Sequence, residues 1–207
     1  MSAPNSGRCL SMPAGVLPGD AVNKIKPGAE KPRLLLHCCC APCAASVLER
    51  LAQSFIITAF FYNPNIRPED EFIKRANELV RLMDLAEYPS IENVIICDYD
   101  MASFDEAAAT FADEPEGGLR CNACFELRLR RAAVRAKAGG LDFFATTLSV
   151  SPHKDAALLN EIGCAVAGQC GVYYLISDFK KKAGYQRSVE LSKEYGLYRQ
   201  PYCGCMI

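Results

Sequence analysis

The sequence has little with which to do conventional acid–base or nucleotide chemistry. It holds only two histidines, His37 and His153, among 207 residues. It has no glycine-rich phosphate loop: neither the P-loop spacing nor the dinucleotide fingerprint occurs, so no nucleotide cofactor is predicted. Charge is nearly balanced, 23 Lys and Arg against 24 Asp and Glu for a net charge of -1, so nothing draws the whole molecule towards a polyanion or a lipid surface. Any such partner must be met by a local patch. No window is long and apolar enough to span a membrane, and Met1 to Ser6 lack the basic-then-apolar order of an export signal. A cytosolic protein with no membrane partner is expected.

What is abundant is sulfur. Clustered thiols in a chain without an export signal are metal ligands or redox groups more often than structural disulfides, and this chain has 12 cysteines. Four of them fall in His37-Cys38-Cys39-Cys40-Ala41-Pro42-Cys43, directly after the apolar run Leu34-Leu35-Leu36. A strand that stops against a helix start lays its last side chains beside unpaired N–H groups and the positive end of a helix dipole, which stabilises thiolates.

Cys121-x-x-Cys124 is a second group, with the spacing at which one turn lets two sulfurs share a metal. Together the two groups suggest a four-thiolate site built from two helix starts, open at this point to structural zinc or to iron–sulfur. Cys203-Gly204-Cys205 is the third. A disulfide across one residue closes a small, strained ring suited to reversible use; two reduced thiols are the alternative. Cys9, Cys97, Cys164 and Cys170 stand alone and read as packing residues.

Along the chain, residues 1 to about 31 are rich in Pro and Gly without apolar periodicity, which predicts an unpacked extension ahead of a single domain over 32–207. Strands are expected at Arg33–His37, Ile56–Tyr62, Val94–Cys97, Leu141–Thr147 and Val172–Ile176. Helices fall between them, one opened by Glu69, Asp70 and Glu71, another by Ser151 as cap with Pro152 in the first turn. Near-continuous apolar strands alternating with helices specify an α/β fold, a Rossmann-like three-layer arrangement with a parallel five-stranded sheet and helices on both faces. In such sheets ligands sit beyond the carboxyl ends of the strands, so Cys38–Cys43 and Thr146–Asp155 should face one crevice.

Two further sets of side chains bear on that crevice. His153 has Ser149, Ser151, Lys154 and Asp155 for company, and His153 or Asp155 is a candidate proton donor, as is Tyr202. Arg128, Arg131 and Arg135 share a helix face, and Lys180, Lys181, Lys182 and Arg187 form a second basic run. Two patches on a near-neutral chain point to a polyanionic partner.

The segments HCCCAPC, FFYNPNI, RCNACFELRL, TTLSVSPHK, SDFKKKAGY and YCGC, in that order, resemble the QueH family of epoxyqueuosine reductases over most of residues 33 to 205. The resemblance implies a cytosolic enzyme that removes the epoxide oxygen of epoxyqueuosine at the tRNA wobble position in the last step of queuosine synthesis. Its partners would be tRNA carrying epoxyqueuosine and an electron donor that the sequence does not identify. It further implies that Cys39, Cys40, Cys121 and Cys124 hold a 4Fe-4S cluster, that Cys43 sits at a second, mononuclear iron, and that Cys203 and Cys205 form a redox-active disulfide. Cys38 turns the family's Cys pair into a triplet and leaves open which sulfurs are ligands. Two other readings of the residues are a zinc-stabilised RNA-binding module without catalysis and a tRNA sulfur-transfer enzyme; the missing phosphate loop counts against the second.

Overall fold

The computed structural model describes residues 9–11 and 31–205. The sheet is built from β1 (Cys9–Ser11), β2 (Arg33–His37), β3 (Ile56–Phe61), β4 (Ile91–Ile96), β5 (Phe143–Thr146) and β6 (Tyr173–Ile176). All pairings are parallel, in the order β1-β6-β5-β2-β3-β4. The five expected strands are present. A sixth, β1, is added at the edge, where Leu10 stands opposite Leu175. The unpacked extension expected over 1–31 falls mostly outside the described residues, and within it Cys9–Ser11 is a strand.

Among the described residues are six α-helices, five between strands and the last after β6: α1 (Ala41–Leu51), α2 (Glu69–Ala86), α3 (Met101–Ala108), α4 (Leu119–Ala138), α5 (Ala156–Cys170) and α6 (Gly184–Glu194). α2 starts with Glu69, Asp70 and Glu71 against its positive dipole end, and Asp100 caps α3 by accepting from Ser103 N. Alternation along β2 divides the core. Leu34, Leu36 and Cys38 pack with the apolar residues of α1 and α2, whereas Leu35 packs on the other face with Phe125, Leu129 and Ala132 of α4 and Leu159 of α5. This gives the three layers expected. No helix among the described residues is long and apolar enough to cross a membrane.

The chain runs outward from β2 through β3 to β4, then returns to place β5 on the other side of β2. Strand order therefore reverses between β2 and β5, where the loops diverge and leave a crevice. His37 stands opposite Thr146 at that point, so Cys38–Cys43 and Thr147–Ser151 leave the sheet side by side.

Gly184 opens α6 with no room for a side chain. A Cβ there would stand 1.8 Å from the Phe179 carbonyl oxygen, a backbone atom that cannot swing away. Gly184→Ala should cost at least the roughly 1–3 kcal/mol typical of overpacking. A thermal melt within a degree of the parent would show that α6 shifts freely.

Candidate metal and redox site

The site begins with a change of backbone geometry. β2 ends at His37, Cys39 lies at a bend, and Cys40 is extended (φ -170°, ψ 164°) at the N-cap position of α1, with Pro42 in the first turn. The bend resolves the triplet. Cys38 continues the alternation of β2 into the core, where it is fully buried, its thiol donates to the Leu36 carbonyl at 3.3 Å, and burial raises its pKa. It is a packing thiol. The next two residues turn out of the strand, so that the sulfurs of Cys39 and Cys40 stand 3.9 Å apart.

Cys43, one helical turn further on, completes a group in which the donor atoms of Cys39, Cys40 and Cys43 all lie within 4.8 Å of one another. Four thiolates about 2.3 Å from one tetrahedral ion would be roughly 3.8 Å apart, so the three present fit a thiophilic metal centre. Among the described residues this is the one group of three or more ligating side chains so closely spaced. The start of α1 thus brings Cys43 beside Cys39 and Cys40.

Hydrogen bonds distribute negative charge unevenly in the trio. Cys39 Sγ accepts from Cys40, Cys43 and, at 3.3 Å, Thr147 Oγ1, with the Arg128 guanidinium nearby, and its pKa falls well below the usual thiol range. Its donors are held protonated: Cys40 is pushed up to about 12 and Cys43 is raised well above the usual thiol range, each first by its hydrogen bond to Cys39. The three carry one thiolate ready for a cation.

Cys121 and Cys124 lie in the first turns of α4, outside this trio, with Arg128 having the sulfurs of both Cys124 and Cys39 nearby. Cys121 Sγ accepts from Gly117 N at 3.2 Å, and Cys124 Sγ from Arg128 Nη1 at 3.8 Å. Cys205 packs against Cys124, Phe104 and Ala108, and Cys203 Sγ accepts from Lys154 Nζ at 3.7 Å. Both tail cysteines are free thiols, so the pair implied as a disulfide is reduced in this structure. The hydrogen bond from Cys205, helped by Lys154 and Arg128, lowers Cys203 to about 5, and Cys205 rises in return.

Metal-free protein should therefore alkylate at Cys203 with a pH midpoint near 5, slow below it as thiol and fast above it as thiolate. Cys205→Ala should move that midpoint upward, because its hydrogen bond is the largest cause; iodoacetamide labelling read by mass spectrometry checks both. The turn between the two thiols depends on Gly204, which has φ +100° and whose Cβ would press at 3.2 Å on both terminal nitrogens of Arg75. Arg75, bound to Glu71 at 2.6 Å, donates to the Cys203 carbonyl at 3.1 Å, and Arg67 N donates to the Gly204 carbonyl at 3.0 Å. The tail is thus clamped from α2 and the loop ahead of it.

Trio and tail meet at a cavity of about 590 Å³, lined by Cys39, Cys40, Cys43, Cys203, Arg128 and His153 among others. Arg128 departs from the expected exposed basic face. It is 2% exposed, donates to Asn63 Oδ1 as well as to Cys124, and has the sulfurs of Cys124, Cys39 and Cys203 as its nearby negative groups. Asn63 was not singled out in the sequence; it is fully buried and donates to the Cys38 carbonyl at 3.0 Å, fixing guanidinium and thiol turn together.

His37 is buried and neutral: burial, then Arg128, lowers it to about 3. Its Nε2 lies 3.1 Å from the Tyr62 carbonyl, so that nitrogen carries the proton, and Nδ1 accepts from Thr146 Oγ1 at 2.9 Å. It anchors the switch point. His153 is exposed on the cavity wall.

Asp155 is a helix cap. Its carboxylate accepts from Ala157 N at 2.8 Å and Leu158 N at 3.4 Å, and α5 starts there instead of at Ser151-Pro152. The basic run is also largely committed. Lys180 donates to the Lys154 carbonyl at 2.8 Å, Lys181 pairs with Asp178 at 3.5 Å, Lys182 takes a left-handed backbone, and Arg187 grips both oxygens of Glu49 at 2.6 and 2.9 Å.

The family model for epoxyqueuosine reductase QueH matches residues 34–207. The epoxyqueuosine reductase QueH of Staphylococcus epidermidis is 42% identical over 181 residues, 86% of this chain and 76% of the relative. That of Acinetobacter baylyi is 38% identical over 185 residues, 88% of this chain and 83% of its own length. The Thermotoga maritima relative of the same name is 35% identical over 176 residues, covering 84% and 88% respectively.

Proposed function

The chain belongs to the epoxyqueuosine reductase QueH family, and from that membership we propose that it removes the epoxide oxygen of epoxyqueuosine at the tRNA wobble position, an oxidoreductase step in queuosine biosynthesis. The observation that carries the reading is the convergence of Cys39, Cys40 and Cys43 with Cys203 on one cavity at the switch point of the sheet. About 590 Å³ falls within the usual range for sites that enclose a small molecule, so one flipped nucleoside fits.

The reaction breaks two C–O bonds, forms one C=C bond and releases oxygen as water, taking up two electrons and two protons. Cys203 and Cys205 hold the two electrons: with Cys203 as thiolate and Cys205 as thiol, oxidation to a disulfide yields two electrons and one proton, and the second proton enters from solvent through the proton donor. An external electron donor would then restore them. His153 is the group we assign to protonate the leaving oxygen: it stands on the cavity wall, whereas Asp155 is occupied as a cap. The hydrogen bond from Cys205, helped by Lys154, keeps Cys203 in its thiolate form.

The donor set fits a thiolate-bound metal group. Cys39, Cys40, Cys121 and Cys124 would hold a 4Fe-4S cluster, with Cys43 at a second iron; such groups supply single electrons and a Lewis acid for an epoxide oxygen.

The test is to reconstitute the protein with iron and sulfide without oxygen, reduce it chemically, and look for queuosine in digests of tRNA that carried epoxyqueuosine. Queuosine formation supports the reading. Full loading with no queuosine overturns it, and bound zinc without acid-labile sulfide points to the RNA-binding module instead.

A further inference from the structure

Two tyrosines stand at the mouth of the cavity. Tyr185, near the start of α6, and Tyr202, in the tail, both line it and keep 39% and 42% of their surface open. Each ring is backed by a guanidinium: Arg199 Cζ lies 5.3 Å from the centre of Tyr185, and Arg75 Cζ lies 5.1 Å from that of Tyr202. Tyr202 is held in place as well, because the carbonyl of the next residue, Cys203, accepts from Arg75 Nη1 at 3.1 Å. An aromatic side chain backed by a buried cation that also holds its backbone, yet left nearly half exposed, is placed to receive something flat.

Charge indicates what that is. The cavity lining carries Arg75, Arg128, Lys154 and Arg199. Arg75 is paired with Glu71, Lys154 with Glu116, and Arg128 faces the sulfurs, so Arg199, exposed beside Tyr185 and without an ion pair among the described residues, is the cation left for a ligand. Single-stranded RNA is bound by this pairing: unstacked bases lie on aromatic faces while cations follow the phosphates, and stacking accepts any base. Resting on the reaction proposed above, we infer that Tyr185 and Tyr202 are stacking platforms for the nucleotides on either side of the one that enters the cavity, with Arg199 meeting the phosphate between them. Arg199 takes the role expected of the Lys180–Lys182 run, where Lys180 and Lys181 are engaged with protein partners.

The experiment uses the full chain and an anticodon stem–loop RNA carrying 2-aminopurine next to the wobble position. Wild-type protein should quench its emission on binding. Tyr202→Ala and Tyr185→Ala should each weaken binding about tenfold, within the roughly 1–3 kcal/mol a stacked base contributes, and reduce the quenching. Tyr202→Phe should stay within about twofold, since the ring is kept. Arg199→Ala should lower the slope of log affinity against log salt by about one. Wild-type binding and quenching in both alanine variants would overturn the platforms while leaving the reaction intact. Binding and quenching by wild-type protein that forms no queuosine would overturn the reaction and leave the platforms standing.

Discussion

Replacing Arg128 with methionine should lower the reduction potential of the metal-loaded protein by at least about 59 mV, a tenfold change in the equilibrium constant of a one-electron couple. The argument is electrostatic. Arg128 is buried, and among the described residues its nearby negative groups are sulfurs with no carboxylate included. A fixed cation favours whichever redox state carries more negative charge, which is the reduced one. At about 4 Å and an effective dielectric near 20, the pairwise energy is about 4 kcal/mol. A tenfold shift requires only about 1.4 kcal/mol of that, so the prediction survives considerable screening. Arg128→Lys keeps the charge but not the fork that reaches Asn63 and Cys124 together, and should fall between. A redox titration followed by electron paramagnetic resonance, with iron and sulfide measured on each sample, decides it; an unchanged potential at full loading would mean that the guanidinium serves packing alone.

The second large effect is a contrast between neighbouring thiols. Cys124→Ala should remove epoxyqueuosine conversion by at least about a hundredfold, more than loss of a group that merely supports a ligand usually costs, and should lower acid-labile sulfide. Cys38→Ala, one residue from the trio, should keep both iron and turnover. Its sulfur is directed into the core between Leu36 and α1, so the loss appears as a lower melting temperature. Normal turnover in Cys124→Ala, or loss of metal in Cys38→Ala, would reassign the ligands.

These residues also show what could be foreseen from the chain. Strands β2, β3 and β5 were legible because both faces are covered, which writes near-continuous apolar runs, whereas β4, half-exposed at the sheet edge, showed only its apolar end Val94-Ile95-Ile96. β1 was not: three residues at a sheet edge in a Pro- and Gly-rich segment leave no pattern. The start of α5 was misplaced because Ser151-Pro152 carries the same capping signal as Asp155, and only the intervening turn separates them. The sulfur groups were legible as groups but not their internal arrangement. Cys40-x-x-Cys43 repeats the spacing of Cys121-x-x-Cys124, and that signal was available to place Cys43 with the trio. Arg128 lies one turn beyond Cys124, a hint that it faces the same way, yet periodicity alone does not say which face of a charged helix is covered. The pairing of Arg187 with Glu49 spans the length of the domain and leaves no local trace.

The clamp around Gly204 has a bearing on how this tail can vary over generations. Because the residue between the two sulfurs must adopt a backbone that other amino acids resist and must also lie flat against Arg75, its codon has almost no neutral neighbours. A library randomised at that codon and selected for queuosine in the host's tRNA should return glycine nearly alone, while the codons for Tyr202 and its aromatic substitutes are exchanged more freely.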